Sequence, residues 1–203
     1  MAVLTPISLE HTAILGNDTG AIARQKSGII TAGTTVVLAP QRDRIVKDVV
    51  LSECTKVGAR LIDVAEGSDC ERVSFDVTEQ RFCINSEEFG IGLGGRHQIV
   101  NASTALAVVA ALNELGTTID HAAIQKGLRT ARLPGRFEVL QDTNTKSGIT
   151  FVFDGAHNQD SASALAQALR EYFPGRKCVF VLALNSDKKV EDYSREFHES
   201  VRI

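Results

Sequence analysis

The segment from Ile7 to His11 carries the first residues whose types and spacing suit ligand chemistry. His11 follows a short apolar stretch, stands beside Glu10 and precedes a Leu15-Gly16 turn. A histidine and a carboxylate at the C-terminal edge of a predicted strand suit a divalent cation. The alternative is a loop histidine without a ligand, because a single histidine is a weak metal signal.

A second group closes a helix that we predict over residues 18–27, with Asp18 as its capping residue and Gly28 just past its end. Lys26 stands in the last turn, where a cation interacts favourably with the helix dipole. That interaction is a sufficient reason for a lysine here, so the position alone assigns no function.

A third group, Gly95-Arg96-His97-Gln98, opens a long predicted helix that continues through Asn101. Polar groups at a helix N-terminus beneath a Gly-Gly turn suit the base or the phosphates of a nucleotide. The alternative is a capping arrangement in which His97 and Gln98 cover free backbone donors.

The fourth group is divided: Arg136 follows a Pro134-Gly135 break, and Asp154-Gly155 ends a later predicted strand. The C-terminal end of a strand that precedes a helix is the usual ligand edge of an open α/β sheet. A carboxylate there accepts hydrogen bonds from ribose hydroxyls, and an arginine forks onto phosphate oxygens. The alternative is a turn or capping role for Asp154 and a solvated linker charge for Arg136.

The elements that must position these groups begin with alternating strands and helices, which is typical of a parallel sheet covered by helices. Predicted strands lie at 2–9, 34–38 and 60–64, and predicted helices lie at 18–27 and 43–57. The second helix places apolar side chains on one face, namely Val46, Val50, Cys54 and Val57. A predicted antiparallel meander follows at 71–77, 80–85 and 88–93, and then come helices at 98–115 and 119–128.

Leu133-Pro134-Gly135 is the candidate domain boundary. Beyond it we predict strands at 137–140, 149–153 and 178–184, a helix at 161–173 and a final helix from Val190. This order is typical of the start of a doubly wound α/β unit.

The composition argues against several classes of function. A formal charge of −3 and 5% aromatic residues give no reason to expect nucleic acid. No apolar run reaches the roughly 20 residues that a membrane helix needs, and the opening segment lacks the features of a secretory signal. The four cysteines have no metal-ligand spacing, which is typical of free thiols in a reducing cytoplasm.

In their order along the chain, the four groups resemble the folylpolyglutamate and dihydrofolate synthases of the Mur ligase superfamily. That family has a Leu-Asp-His-like motif, a helix ending in Glu-Lys-Ala-Gly-Ile, a His-Gln-x-x-Asn-Ala motif, a Pro-Gly-Arg-x-Glu linker and Asp-Gly-Ala-His-Asn. Similar segments occur here in that order over essentially the whole chain.

The resemblance implies an α/β fold. Residues 1–132 would be the C-terminal part of a Mur-ligase-type ATPase domain, with a parallel sheet and a small meander. Residues 133–203 would be the start of a Rossmann-like glutamate ligase domain.

The resemblance also implies a metal site. His11 would bind Mg²⁺, and Lys26 would react with carbon dioxide to form a carbamate. An ammonium group would repel a metal, whereas the carbamate has the anionic oxygen ligands that Mg²⁺ prefers.

For the nucleotide, the resemblance implies that Asn101, Arg136 and Asp154 bind ATP. His157 would lie beside the phosphates or the incoming amino acid. Lys188 takes the place of the lysine in the family's Asp-Lys-Asp segment, and it would be a further catalytic residue.

The chain departs from the family pattern in two ways. Glu10 replaces Asp, Gln25 replaces Glu and Ser27 replaces Ala, which are mild changes, but Lys189 replaces the second Asp of Asp-Lys-Asp and reverses a charge. The sequence also contains no Gly-rich loop ending in Gly-Lys-Ser or Gly-Lys-Thr, which in the family holds the ATP phosphates. We therefore expect a chain truncated at both ends, without folate-dependent ATP hydrolysis or glutamate ligation by itself.

For the complete protein, the resemblance implies a monomeric cytoplasmic ligase that uses ATP and Mg²⁺ to join L-glutamate to a folate or to dihydropteroate. No nucleic acid or membrane partner is expected. Two alternatives stay open. One is a related ligase that adds amino acids to a cell-wall precursor by the same chemistry, and the other is a non-catalytic binding or assembly fragment.

Overall fold

A three-stranded parallel sheet organises the first part of this computed structural model, which describes residues 1–9, 15–67, 69–141, 148–185 and 190–197. The strands are β1 (Ala2–Leu4), β2 (Thr35–Leu38) and β3 (Arg60–Asp63), in the order β1-β2-β3. Val36, Val37 and Leu38 of the central strand are all fully buried. Since successive side chains of a strand point to opposite faces, both faces of this sheet are covered.

Two helices cover one face of the sheet, as the sequence predicts. They are α1 (Thr19–Lys26), which runs into a short 3₁₀ helix (Ser27–Ile29), and α2 (Arg44–Val57). The side chains of Asp18 and Asp43 accept hydrogen bonds from backbone N–H groups in the first turns of α1 and α2, respectively. These caps satisfy donors that have no partner inside the helix, and they fix where each helix begins.

The face of α2 that was predicted to be apolar packs onto this sheet. Val46, Val50 and Cys54 are buried in the same core as Ile22 of α1. Val57, which was predicted on the same face, is instead exposed in the last turn of the helix.

A meander and two helices follow, again as predicted. A short helix α3 (Val64–Gly67) precedes the antiparallel strands β4 (Cys70–Phe75), β5 (Gln80–Ile84) and β6 (Glu87–Ile91). The helices are α4 (Arg96–Glu114), which packs against β2, and α5 (His121–Thr130), which packs against β6. None of the helices in the described ranges is long and apolar enough to cross a membrane.

The second unit contains an antiparallel pair of strands and a helix. Strand β7 (Glu138–Gln141) pairs with β8 (Thr150–Phe153), and α6 (Gln159–Tyr172) packs beside them. A short helix α7 (Val190–Ser194) and a 3₁₀ helix (Arg195–Phe197) complete the described part of this unit.

One predicted strand is absent from the described residues: 178–184 belongs to no hydrogen-bonded ladder. Phe180 and Leu184 pack against the core of the second unit, whereas Val179 and Val181 are 96% and 95% exposed. The two sides of the segment therefore differ in burial, but the prediction of a strand is wrong for these residues. A strand needs a hydrogen-bonded neighbour, and none lies beside this segment among the described residues.

Candidate nucleotide site at the joint between the units

The turn that links the two units is held by the carboxylate of Asp154. Its Oδ2 accepts a hydrogen bond from the backbone N–H of Phe137 at 2.7 Å, and its Oδ1 accepts one from Ala156 at 2.8 Å. The backbone N–H of Gly155 donates to the carbonyl of Gly135 at 2.8 Å. Phe137 has a φ of 47°, which is costly for a bulky residue, so these bonds stabilise a strained linker.

Arg136 lies exposed against this turn. A Cβ atom added to Gly155 would lie 3.1 Å from Nη1 of Arg136, so the glycine allows the guanidinium to lie close to the backbone. Among the described carboxylates, none forms an ion pair with Arg136 within 4.0 Å. The guanidinium is therefore available to an anionic ligand such as a phosphate.

His97, in the first turn of α4, lies within electrostatic reach of both residues. Burial lowers its pKa below the ordinary value; the negative charge of Asp154 opposes this shift, and the positive charge of Arg136 adds to it. The imidazole is therefore kept neutral, so that it can donate from one ring nitrogen and accept at the other.

The capping alternative for this helix start is wrong. The N-cap residue is Gly95, and no side chain caps the helix there. Gln98 is buried, and its Oε1 accepts a hydrogen bond from Nδ2 of Asn101 at 3.0 Å instead of covering a backbone donor. Asn101 follows His97 by one helical turn, so the two side chains share a face of α4.

His157 lies exposed in the turn between β8 and α6. Its Nδ1 is 3.0 Å from the carbonyl oxygen of Gly155. A carbonyl only accepts, so Nδ1 carries a proton and Nε2 is the ring nitrogen left for a ligand. Asn158 and Ser161 form a reciprocal capping box, which fixes the start of α6 directly behind this histidine.

The C-terminal edge of the parallel sheet lies on the same side as this turn. Arg42, which follows β2, forms an ion pair with Asp160 in the first turn of α6 at 3.1 Å. Both side chains are largely exposed, so the pair adds little stability, but it shows which edges of the two units lie next to each other.

The predicted metal ligands are not brought together by the described residues. Lys26 is the last residue of α1 and is half-buried, whereas His11 lies outside the described residues. Lys188, the third predicted catalytic residue, also lies outside them. In the described part of the chain, no group of three or more His, Cys, Asp or Glu side chains is placed to hold a metal ion.

Sequence reasoning missed Gln80 and Tyr172, which contact the same joint. Gln80 is almost fully buried and donates to the carbonyls of Leu93 and Gly95, while Tyr172 accepts from the N–H of Gly95. A signal was present for Gln80, because a polar residue stands at a core-facing position of an alternating strand, two residues before Phe82.

Comparison with known proteins gives a family match for the second unit and relatives that align with both units. Residues 135–202 match the family described as Mur ligase, glutamate ligase domain. The dihydrofolate synthase/folylpolyglutamate synthase of Mycobacterium tuberculosis is 33% identical over 94% of this chain and 41% of its own length. The corresponding Bacillus subtilis enzyme is 27% identical over 95% of this chain and 45% of its own length.

A solved structure gives the same result for the fold. The Mycobacterium tuberculosis folylpolyglutamate synthase complexed with ADP and AMPPCP superposes with a TM-score of 0.82 at 30% identity. The superposition covers 98% of this chain and 45% of that one. The family match and the shared fold together define a protein of the Mur ligase class. The chain belongs to the folylpolyglutamate and dihydrofolate synthase family of that class, and it spans less than half the length of the relatives it matches.

Proposed function

We propose that these residues form the joint of an ATP-dependent ligase that adds L-glutamate to a folate or to dihydropteroate. The observation that carries the proposal is the meeting of His97, Arg136 and Asp154 at the turn between the two units. The chain resembles the synthases on both sides of that turn, so the joint is where their two domains would share a nucleotide.

In the proposed reaction, the γ-phosphoryl group of ATP moves to a carboxylate of the folate, which gives an acyl phosphate and ADP. The amino group of glutamate then attacks the acyl carbon, expels inorganic phosphate and forms the amide. Arg136 is proposed to fork onto the phosphate oxygens and to offset charge that is redistributed during transfer.

Asp154 is proposed to accept a hydrogen bond from a ribose hydroxyl. Each of its oxygens already accepts one backbone N–H, but a carboxylate oxygen has a second lone pair for a further donor. Asp154 thus has a structural role in the linker in addition to the proposed binding role. A neutral His97 and Asn101, on one face of α4, are proposed to contact the base or ribose.

The two other proposed catalytic residues act on the phosphates and the amino acid. His157 presents Nε2 from the turn before α6, and it is proposed to lie beside the phosphates or the incoming glutamate. Lys188 follows residues 178–184 in the sequence and is proposed to act in the same region.

For Mg²⁺, the proposed ligands are His11 and a carbamate of Lys26. The described residues do not by themselves assemble a metal site, so we assign no step to the ion. When bound, it would neutralise phosphate charge. The proposal includes a cytoplasmic setting, supported by four free cysteines, and a monomeric enzyme.

The test is steady-state kinetics, with ATP varied, on the natural protein that carries these residues. We expect Arg136→Ala to lower kcat more than it raises the KM for ATP, because the charge it offsets changes most in the transition state. Asp154→Asn, which keeps one carbonyl acceptor for the linker, should mainly raise the KM for ATP, corresponding to about 1 to 3 kcal/mol. Arg44→Ala removes another exposed arginine elsewhere and is the matched control. Unchanged ATP parameters in both site variants would refute the nucleotide assignment.

A further inference from the structure

Tyr172 is the last residue of α6, and it contacts both halves of the candidate nucleotide site. Its phenol oxygen accepts a hydrogen bond from the backbone N–H of Gly95 at 3.1 Å. Its ring lies edge-on to the ring of Phe137, with the centroids 4.9 Å apart. Gly95 begins the helix that carries His97, and Phe137 follows Arg136 directly, so one side chain joins two segments that are distant in sequence.

Gln80 completes the contact on the side of Gly95. Its Nε2 donates to the carbonyl of Gly95 at 2.9 Å, and its Oε1 accepts from the Tyr172 hydroxyl at 3.4 Å. The N–H and the C=O of Gly95 are therefore each engaged by a side chain, the half-buried Tyr172 and the buried Gln80. Neither the peptide group before Gly95 nor the one after it can rotate without breaking one of these bonds, so the start of α4 is held in one orientation.

The glycines at this turn explain why the contact is so close. Gly95 has a φ of +95°, a conformation that other residues rarely adopt. A Cβ atom on Gly94 would lie 2.6 Å from the Phe137 ring. The helix start, the linker and Tyr172 therefore form one packed unit.

We propose that Tyr172 is a positioning residue that fixes His97 and Asn101, on α4, relative to Arg136 and Asp154, on the linker and its neighbouring strand. This inference rests on the proposed function, because it concerns the same nucleotide site. Tyr172 touches no proposed ligand atom, so its effect on the ligand passes through Gly95 and Phe137. The hydroxyl holds the backbone of Gly95 through a hydrogen bond, and the ring packs against Phe137.

Two substitutions separate these contributions. Tyr172→Phe keeps the ring and removes the hydroxyl, so amide hydrogen exchange should become faster at Gly95 and stay unchanged at Phe137. Tyr172→Leu removes the ring as well, so exchange should become faster at both amides. Thr104→Val is the control, because it removes a different buried hydroxyl, which donates to a backbone carbonyl within α4. Exchange at Val36 in the central strand reports whether each variant is still folded.

ATP binding is measured by isothermal titration calorimetry on the natural protein that carries these residues and on the same substitutions in it. This measurement tests whether the Tyr172 contacts affect the ligand. We expect Tyr172→Phe to raise the Kd for ATP about fivefold to tenfold, because a preorganised contact surface is lost. Tyr172→Leu should raise it further, and Thr104→Val should leave it unchanged. Unchanged exchange at Gly95 in Tyr172→Phe, or an unchanged Kd in both Tyr172 variants, would overturn the positioning role. If the unsubstituted natural protein that carries these residues binds no ATP, the nucleotide site of the proposed function is wrong, and the exchange data alone then decide whether Tyr172 holds the two segments together.

Discussion

The two α/β units of this chain bury their sheets to different extents. In the first unit, the central strand β2 has helices on both faces, and Leu38 is 0% exposed. In the second unit, α6 covers one face of the β7–β8 pair, while Phe151 and Phe153 remain about half exposed on the other. The proposed nucleotide site lies in neither sheet. It lies in the turn between the units, where strained backbone is held by Asp154 and Tyr172. The comparison indicates that the first core supplies stability, whereas the joint supplies the geometry of the site.

The largest effect should come from the core of the first unit. Leu38→Ala should lower the free energy of unfolding by about 3 to 5 kcal/mol, because the site is fully buried and a cavity remains. Val181→Ala in the second unit should change it by less than about 0.5 kcal/mol, because that side chain is exposed. Urea unfolding of both variants measures the difference. Equal effects would contradict the description of Leu38 as a core residue and of Val181 as a solvent-exposed one.

A smaller effect is expected at the ionic contact across the joint. Glu171 of α6 pairs with Arg72 of the meander at 2.7 Å and with Arg96 at 2.6 Å, and the Arg72 side chain is only 7% exposed. Glu171→Gln should cost about 2 to 3 kcal/mol, because it leaves a buried guanidinium without its counter-charge. The matched control is Asp48→Asn, which breaks a solvent-exposed pair with Arg44 and should cost less than about 0.5 kcal/mol. Similar unfolding midpoints for the two variants would show that the joint is not a buried electrostatic contact.

Gly95→Ala tests the backbone of the joint. The left-handed φ and the contact of 2.7 Å between an added Cβ and Cε1 of His97 should together cost about 1 to 3 kcal/mol. Gly127→Ala, in the middle of α5 with open space around it, should instead stabilise by about 0.5 to 1 kcal/mol through helix propensity. Thermal unfolding of the pair gives the sign of each change. A neutral Gly95→Ala variant would contradict the tight turn described here.

The smallest effect concerns pH. Burial lowers the pKa of His97 in the folded chain, so below the ordinary value near 6.5 the unfolded chain binds the proton more readily. The stability contributed by neutral His97 is therefore complete above that pH and is lost as the pH falls towards the folded-state pKa. The difference in unfolding free energy between the parent chain and His97→Gln, measured from pH 8 to pH 5, should show this loss. A difference that does not vary with pH would place His97 in solvent.

The sequence was sufficient to predict the parts of the fold that depend on local signals. Asp18 and Asp43 are capping residues at the positions where helices were expected, and the alternating meander strands follow their predicted ranges closely. The segment 178–184 has the alternation of a strand, but pairing depends on a neighbour that no local pattern specifies.

The candidate site was predictable only in part. Arg136 and Asp154 were marked by a Pro-Gly break and a strand end, and the structure places both at one turn. Tyr172 was not marked, because an aromatic residue at the end of an amphipathic helix is an ordinary core residue. Its hydrogen bond to Gly95 joins residues 77 positions apart in sequence. Such contacts depend on how the units pack, which spacing along one element does not encode.

The central claim is that a nucleotide binds at the joint, against Arg136 and the start of α4. The most direct measurement is a titration of the chain with ATP, followed by NMR signals of the Arg136 Nε–H group, the Gly155 amide and the His97 ring. We predict saturable shifts concentrated at these three groups, which are lost in Arg136→Ala and kept in Arg44→Ala. Shifts that persist unchanged in Arg136→Ala, or that fall elsewhere in the molecule, would contradict the account.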